Sequence, residues 1–92
     1  MRFEWDEIKA IVNMRKHGIS FEEAEAIFGD PNTITLFDDR HSDVEDRFID
    51  IGTSTQGRIL VVVYTENDER VRLISCRRAT PKERQQYEQR TV

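Results

Sequence analysis

Two consecutive arginines end the most apolar part of the chain and are the first candidates for chemistry. The stretch RILVVVYTENDERVRLISCRR predicts two strands, Arg58–Thr65 and Arg70–Arg78, joined by a polar turn. The second strand ends in Arg77 and Arg78, and a predicted helix that carries Tyr87 follows. A guanidinium group binds two phosphate or carboxylate oxygens at once and stays protonated. We therefore expect a site for an anionic group at this strand end.

Lys16 and His17 are the second candidates, in the last turn of a predicted first helix. Cations are stabilised at a helix C-terminus, and Gly18 follows as a left-handed cap, which explains both residues without a function. Alternatively, the helix end faces the same cleft as the arginines, and His17 acts as an acid or base near neutral pH. Tyr87 is equally open: its ring could dock the last helix, take part in catalysis or stack on a base.

A metal site is not expected from the remaining residues. His41 lies in an acidic loop with Asp38, Asp39, Asp43 and Glu45. One histidine among scattered carboxylates lacks ligand spacing, so we expect neither a metal nor another cofactor. The single cysteine, Cys76, is expected to be a small buried strand residue.

The capping signals and apolar periods predict one α+β domain over residues 1–92. Two helices begin after Asp6 and Ser20 and end at Gly18 and at residues 29–31. Four antiparallel strands follow as a meander, and a C-terminal helix begins after Thr80. The strands are Thr33–Phe37, Arg47–Gly52, Arg58–Thr65 and Arg70–Arg78. The central hairpin contains the longest apolar run, so Arg58–Thr65 is expected in the middle of the sheet.

All helices are expected to pack on one face of the meander. On the first helix, Ile8, Ile11 and Val12 are expected to face the core, because their spacing forms one apolar stripe. The second helix is expected to bury Phe21, Ala24, Ile27 and Phe28. Arg2–Trp5 is too short for more than an edge strand or a lead-in. In the last strand, simple alternation places Val71, Leu73, Ser75 and Arg77 on one face and Arg72, Ile74, Cys76 and Arg78 on the other.

The net charge of −4 is divided unevenly along the chain. Residues 1–50 carry six Lys/Arg and thirteen Asp/Glu (−7), whereas residues 51–92 carry eight and five (+3). This predicts a basic cleft between Arg72 and Arg90. No apolar run is long enough to cross a membrane, the N-terminus lacks a signal-peptide pattern, and one cysteine suits a reducing compartment. A cytoplasmic location is expected.

The order of short motifs along the chain resembles the BrnT family of toxins. The motifs are Trp5-Asp6 with Lys9, RKHGISFEEA over Arg15–Ala24, Phe28–Pro31, His41-Ser42, Glu45, Arg47, Ile51-Gly52, ISCRRAT over Ile74–Thr80, Glu83-Arg84 and Tyr87-Glu88. The resemblance covers essentially the whole chain, and the combination is more specific than any single motif. The departure is Cys76, where the family commonly has alanine.

The resemblance implies a RelE/ParE-like fold and a ribonuclease toxin of a type II toxin–antitoxin system. Such toxins arrest translation, and a ribbon-helix-helix, BrnA-like antitoxin that binds DNA neutralises them and represses the operon with them. Metal-free RNA cleavage needs groups that accept the 2′-hydroxyl proton, stabilise charge on the phosphate and assist the leaving oxygen. The residues expected to carry cleavage are Arg77, Arg78, Tyr87, Lys16 and His17. The residues expected to bind RNA are Arg47, Arg72, Lys82 and Arg84.

A different function class fits the same residues. The chain could be a non-enzymatic binding module of the same fold that inhibits a protein target or acts as the antitoxin's co-repressor. The net charge of −4 favours this alternative, because a protein that approaches RNA gains from positive charge. If the chain is the toxin, the antitoxin is expected to cover the basic cleft, while the acidic first half stays outside the contact.

Overall fold

The structure, a computed structural model, describes residues 1–41 and 45–90. The helices are α1 (Glu7–His17), α2 (Phe21–Ala26) and α3 (Pro81–Arg90). The strands are β1 (Arg2–Glu4), β2 (Ile34–Phe37), β3 (Arg47–Thr53), β4 (Ile59–Asn67) and β5 (Arg70–Arg78). Single 3-10 turns follow α2 and β2, at Ile27–Gly29 and Asp39–His41. Ser42 and Asp43 of the predicted acidic loop lie outside the described residues.

The five strands form one mixed sheet in the order β1-β5-β4-β3-β2. Strands β2 to β5 pair antiparallel, as the predicted meander requires. However, β1 pairs in parallel with residues 70–72 of β5, so the edge strand that the sequence left open for Arg2–Trp5 is present. The four-stranded antiparallel sheet expected for a RelE/ParE-like fold is thereby corrected to a mixed sheet of five strands. A three-residue strand carries too little pattern to identify its partner. Beyond residue 72, β5 extends past the end of β1 and has an open outer edge.

Strand β4 lies at the centre of the sheet and is buried on both faces, as predicted. Leu60, Val62 and Tyr64 pack in the core beneath α1 and α2. Val61 packs on the other face with Tyr87 of α3. The prediction that all helices cover one face was therefore wrong. The sequence of α3 contains one large apolar residue, which is too few to indicate the face that it covers.

A bulge in β5 changes which of its side chains share a face. The register with β4 shifts between Val63 and Tyr64, which leaves Ile74 as an extra residue. One core cluster contains Val71, Leu73 and Cys76. Simple alternation had wrongly placed Cys76 on the opposite face, because it assumed a regular strand.

Helix α1 begins and ends where predicted, but the side that was predicted to face the core faces solvent. The Asp6 carboxylate accepts hydrogen bonds from the first turn, and Gly18 adopts a φ of 70° at the C-terminal cap. Ile8, predicted to be buried, is 73% exposed, and Ile11 and Val12 are 52% and 54% exposed. Within α1, Asn13 is the buried residue.

Asn13 explains this orientation, because its side chain binds the open outer edge of β5. Its Nδ2 donates to the Cys76 carbonyl at 2.9 Å, and its Oδ1 accepts from the Cys76 backbone N–H at 3.0 Å. The same Nδ2 lies 3.0 Å from the Ile19 carbonyl. Asn13 thus takes the place of a neighbouring strand, and the opposite side of α1 faces solvent.

Candidate active site

Arg77 lies on the α3 side of the sheet and binds Glu83 with both arms of its guanidinium group. Nη1 is 2.7 Å from Oε1, and Nη2 is 2.9 Å from Oε2. Glu83 also accepts from the Thr80 backbone N–H, while the Thr80 hydroxyl accepts from the Glu83 backbone N–H. The hydrogen bonds from Arg77 lower the pKa of Glu83 to about 2. Arg77 is therefore tied to the first turn of α3, although 40% of its side chain stays exposed.

Arg78 lies on the opposite face, where it pairs across the sheet with Leu60. Its side chain is exposed and makes no hydrogen bond or ion pair with residues 1–41 or 45–90. The nearby Glu23 carboxylate accepts from Arg58 Nε and from Ser54 Oγ, both at 2.8 Å. The hydrogen bonds from Arg58 lower the pKa of Glu23, and the charge of Arg78 lowers it further. Arg78 thus keeps its own donors available for a ligand.

The network of Glu23, Arg58 and Ser54 was not predicted from the sequence. Its members are separated by 31 and 35 residues, so no local motif joins them. One signal was available, because Glu23 precedes the buried Ile27 by four residues and such pairs share a helix face. A carboxylate at a buried position needs a charged or hydrogen-bonding partner.

The Tyr87 hydroxyl is held on the side of the sheet that faces α3. It donates to Asp30 Oδ2 at 2.5 Å and accepts from Thr53 Oγ1 at 2.9 Å. The residue is 7% exposed. Burial, together with the hydrogen bond to Asp30, raises the pKa of Tyr87. These contacts support the interpretation that Tyr87 docks α3.

Lys16 and His17 line a shallow groove between the end of α1 and the open edge of β5. The groove has a volume of about 300 Å³ and includes Ile74 and Ser75. Lys16 is exposed and His17 is half-buried. Ser75 lies two residues before Arg77 on the same strand. The structure therefore brings the end of α1 beside the part of β5 that leads to the two arginines.

The candidate RNA-binding residues divide between the two ends of the sheet. Thr65 of β4 pairs with Arg47 of β3 on one side and with Arg72 of β5 on the other, so the two arginines lie in one row across the sheet. Arg78 lies six positions after Arg72, which corresponds to about 20 Å of extended strand. The prediction of one basic cleft from Arg72 to Arg90 was therefore wrong, because the basic residues form two groups. The side chain of Arg90 lies outside the described part of the structure.

Lys82 and Arg84 belong to the Arg77 end of the sheet. They flank Glu83 in the first turns of α3, and both are exposed. Positive charge therefore extends from β5 onto α3 beside the ion pair of Arg77 and Glu83.

The other reactive groups are buried or scattered. Burial raises the pKa of the Cys76 thiol to about 11, which is typical of a structural cysteine. In the described ranges, 1–41 and 45–90, no three His, Cys, Asp or Glu side chains are grouped as metal ligands. Asp43, part of the acidic loop around His41, lies outside those ranges. None of the described helices has the length and apolar character needed to span a membrane.

Comparisons with known proteins relate this arrangement to a group of toxins. The model of the family described as "Ribonuclease toxin, BrnT, of type II toxin-antitoxin system" matches residues 5–83. Among solved structures, the crystal structure of the Brucella abortus ribonuclease toxin, BrnT, matches with a TM-score of 0.64 and 26% sequence identity. The match covers 87% of this chain and 97% of that chain. The comparison with curated proteins gives no match.

The fold and these matches define the class as small α+β ribonuclease toxins of type II toxin–antitoxin systems. Within that class, this chain belongs to the BrnT family. The resemblance seen in the sequence motifs is confirmed, because the family match spans all but the ends of the chain.

Proposed function

We propose that this protein is a metal-independent endoribonuclease that arrests translation in the cytoplasm. Membership of the BrnT family supports the ribonuclease activity. One observation supports the location of the site: Lys16 and His17 line the same groove as Ser75, two residues before Arg77. The residues proposed to exchange protons therefore lie near the part of β5 that leads to the residues proposed to bind phosphate, which suits cleavage by the 2′-hydroxyl.

In the proposed mechanism, His17 exchanges protons while cations stabilise the phosphate. His17 accepts the proton of the 2′-hydroxyl, the resulting oxygen attacks phosphorus, and the bond from phosphorus to the 5′-oxygen breaks. Water protonates the leaving 5′-oxygen, and the other product is a 2′,3′-cyclic phosphate. Arg78 donates to the non-bridging oxygens with its available N–H groups, and Lys16 adds charge. Arg77, bound to Glu83 on the α3 side, adds positive charge to the same strand end without a hydrogen bond to that phosphate. Tyr87 acts as a positioning residue through its contacts with Asp30 and Thr53.

The substrate strand is proposed to follow β5. Lys82 and Arg84 would contact the strand near the cleavage site, from the exposed side of α3. Arg47 and Arg72 would bind it about 20 Å away, at the other end of the sheet. Single-stranded RNA fits this arrangement, because its backbone can follow a strand of separated cations.

The proposed partner is a ribbon-helix-helix, BrnA-like antitoxin. The family description, one component of a type II toxin–antitoxin system, supports the existence of an antitoxin. We propose that it neutralises the toxin and that the complex represses its own operon, with operator DNA contacted through the antitoxin.

The test is cleavage of single-stranded RNA by purified toxin, freed from its antitoxin, in EDTA. Arg78→Ala and His17→Ala should each reduce the rate by about 10²–10³, because each removes a group that acts on the transition state. Arg70→Ala is the matched control, since Arg70 is an exposed arginine at the other end of the same strand. Full activity in both site variants would contradict the site. Loss of cleavage in EDTA, restored by magnesium, would contradict the metal-free mechanism.

The second candidate function is a binding module without catalysis, and the exposed apolar residues of α1 favour it. Such a module would inhibit a protein target or serve as the antitoxin's co-repressor. A folded wild-type protein that cleaves no RNA, with or without ribosomes, would support this alternative. The net charge of −4 is compatible with it, since a protein target need not be an anion.

A further inference from the structure

Helix α1 presents four large apolar side chains to solvent. This set, called here the α1 apolar stripe, consists of Ile8, Ile11, Val12 and Met14, which are 73%, 52%, 54% and 47% exposed. Single exposed apolar residues are common, but a contiguous group on one helix indicates an interaction surface. The spacing of residues 8, 11 and 12 is the i, i+3, i+4 pattern through which helices bind one another. Folding does not require this stripe, because Asn13 fastens the opposite side of α1 to β5.

The charges around the stripe indicate the chemistry of what covers it. Lys9 and Lys16 line the groove on the β5 side of the stripe. Arg15, seven residues after Ile8, lies among the residues of the stripe and borders a second groove, of about 290 Å³, on the other side, which also contains Glu22. The lining of the groove on the β5 side contains two lysines and no carboxylate, which makes this side the more basic one, although Lys9 also borders Glu4 and Asp6 in a neighbouring cavity. An amphipathic helix with apolar residues at helical spacing and Asp or Glu along one edge is complementary to this surface.

We propose that the α1 apolar stripe is the docking surface for such an amphipathic, acidic-edged helix of the antitoxin. This inference rests on the proposed function, because it takes the antitoxin as the occupant. Ile8 and Val12 belong both to the stripe and to the groove that contains Lys16 and His17. A helix about 10 Å wide that lies on the stripe also covers that groove. Docking therefore blocks the proposed site without breaking the Arg77–Glu83 ion pair.

A second copy of the chain is a poorer occupant, because the stripe is small. Helix α1 has 11 residues, so it is about 16 Å long. A stable interface buries about 800 Å² on each partner, which is more than one face of such a helix offers. A partner that docks here needs contacts elsewhere on the toxin, and an antitoxin that also approaches the arginines of β5 would have them. The acidic first half of the chain was expected from its charge to stay outside the complex with the antitoxin. In the proposed complex, α1 brings this half into the contact.

The experiment uses the toxin together with the antitoxin encoded beside its gene, which are purified as a complex and then separated. The double variant Ile11→Ser/Met14→Ser removes half of the stripe and leaves the groove of Lys16 and His17 untouched. It should cleave RNA at the wild-type rate, while its Kd for the antitoxin rises at least tenfold. Leu36→Ser is the matched control, because Leu36 is a 40% exposed apolar residue on β2, outside the stripe. It should bind the antitoxin with wild-type affinity.

Lys9→Glu tests the charge component of the same surface. This variant should associate with the antitoxin more slowly than the wild type, and the difference should shrink as salt rises. An association rate equal to that of the wild type at low salt would contradict the acidic edge of the docking helix.

Two outcomes would overturn the inference as a whole. Unchanged antitoxin affinity in the double variant would do so while leaving the ribonuclease proposal intact. A wild-type toxin that is dimeric in sedimentation, and monomeric in the double variant, would assign the stripe to a second copy. If the wild-type toxin cleaves no RNA, the ribonuclease proposal fails, and the affinity measured by calorimetry still decides the docking surface.

Discussion

Helix α1 lies along the open edge of β5 and α3 lies on one face of the sheet, and neither is attached in the way that its composition suggests. Helix α1 is rich in apolar residues but buries Asn13, whereas α3 is almost entirely polar but buries Tyr87. Each attachment is a set of hydrogen bonds between distant parts of the chain, from Asn13 to Cys76 and from Tyr87 to Asp30. A short helix can thus be fixed to a sheet by one polar side chain rather than by an apolar stripe.

The difference between the two helices lies in what each leaves exposed. Helix α3 places its single large ring in the core and exposes cations such as Lys82 and Arg84, which suit an anionic ligand. Helix α1 places an amide in the core and exposes Ile8, Ile11 and Val12, which suit a protein partner. On the proposals above, the exposed side of α3 contacts RNA and the exposed side of α1 contacts the antitoxin, and the antitoxin surface overlaps the RNA site at the groove of Lys16 and His17. The following substitutions test this contrast between the two helices.

The largest effect is expected for Asn13→Ala. This change leaves the buried N–H and C=O of Cys76 without their partner, and each such group costs about 1–3 kcal/mol. We expect a loss of about 3 kcal/mol in the free energy of unfolding, measured by urea denaturation. Met14→Ala, one residue away on the exposed side, is the control and should change stability by less than about 0.5 kcal/mol. A cost for Asn13→Ala as small as that of the control would mean that the amide does not fasten α1.

The next effect is expected for Tyr87→Phe, which keeps the ring and removes the hydroxyl. The hydroxyl bonds to the Asp30 carboxylate and to Thr53, so stability should fall by about 1–2 kcal/mol in urea denaturation. RNA cleavage by the folded variant should stay within a few-fold of the wild type, because Tyr87 acts by positioning α3. A hundredfold loss of cleavage with unchanged stability would instead make the hydroxyl catalytic. Tyr87→Ala, which also removes the ring, should destabilise the protein further.

The parts of the fold that local chemistry determines were predictable from the sequence. The Asp6 and Ser20 caps, the Gly18 terminus and the central position of β4 follow from residues within one turn or one strand. The orientation of α1 did not follow, because it depends on an amide that binds a residue 63 positions away. Periodicity showed that α1 has an apolar stripe, but not which side faces the sheet. The bulge at Ile74 also escaped prediction, since an extra residue leaves no pattern in a run of mixed side chains.

The candidate site was predictable to a similar extent. The end of a strand identified Arg77 and Arg78, and the end of a helix identified Lys16 and His17. Their neighbours were not predictable, because Glu83 binds Arg77 across a strand-to-helix junction and Glu23 binds Arg58 from 35 residues away. Ion pairs of this kind depend on tertiary geometry, which charge composition does not contain.

A smaller effect is expected at the junction of β5 and α3, where Glu83 holds Arg77. Because the folded-state pKa of Glu83 is depressed to about 2, its ionised form stabilises the fold above the unfolded pKa. This contribution is lost as the pH falls from about 5 towards 2, and partial exposure of the pair reduces it to the order of 1 kcal/mol. Glu83→Gln should therefore lose less stability than the wild type over that interval in acid titrations.

The difference between wild type and variant is the informative quantity, because Glu23 and Asp30 also have lowered pKa values. Arg77→Ala should reduce the pH dependence to the same extent as Glu83→Gln, and the double variant should reduce it no further. Identical acid profiles for the wild type and Glu83→Gln would show that the ion pair does not form in solution and that Arg77 is available for RNA.

The smallest effect is expected for the α1 apolar stripe itself. Ile11→Ser and Met14→Ser replace side chains that are about half exposed, and the lower helix propensity of serine costs only a few tenths of a kcal/mol. The free energy of unfolding should therefore fall by less than about 0.5 kcal/mol for each variant, with an unchanged dependence on urea concentration. A loss of about 2 kcal/mol would mean that the stripe is already covered in the free toxin. Stability that also rises with protein concentration would show that a second copy of the chain covers the stripe. Helix α1 would then bury its apolar residues, as α3 buries Tyr87, and the contrast between the two helices would be lost.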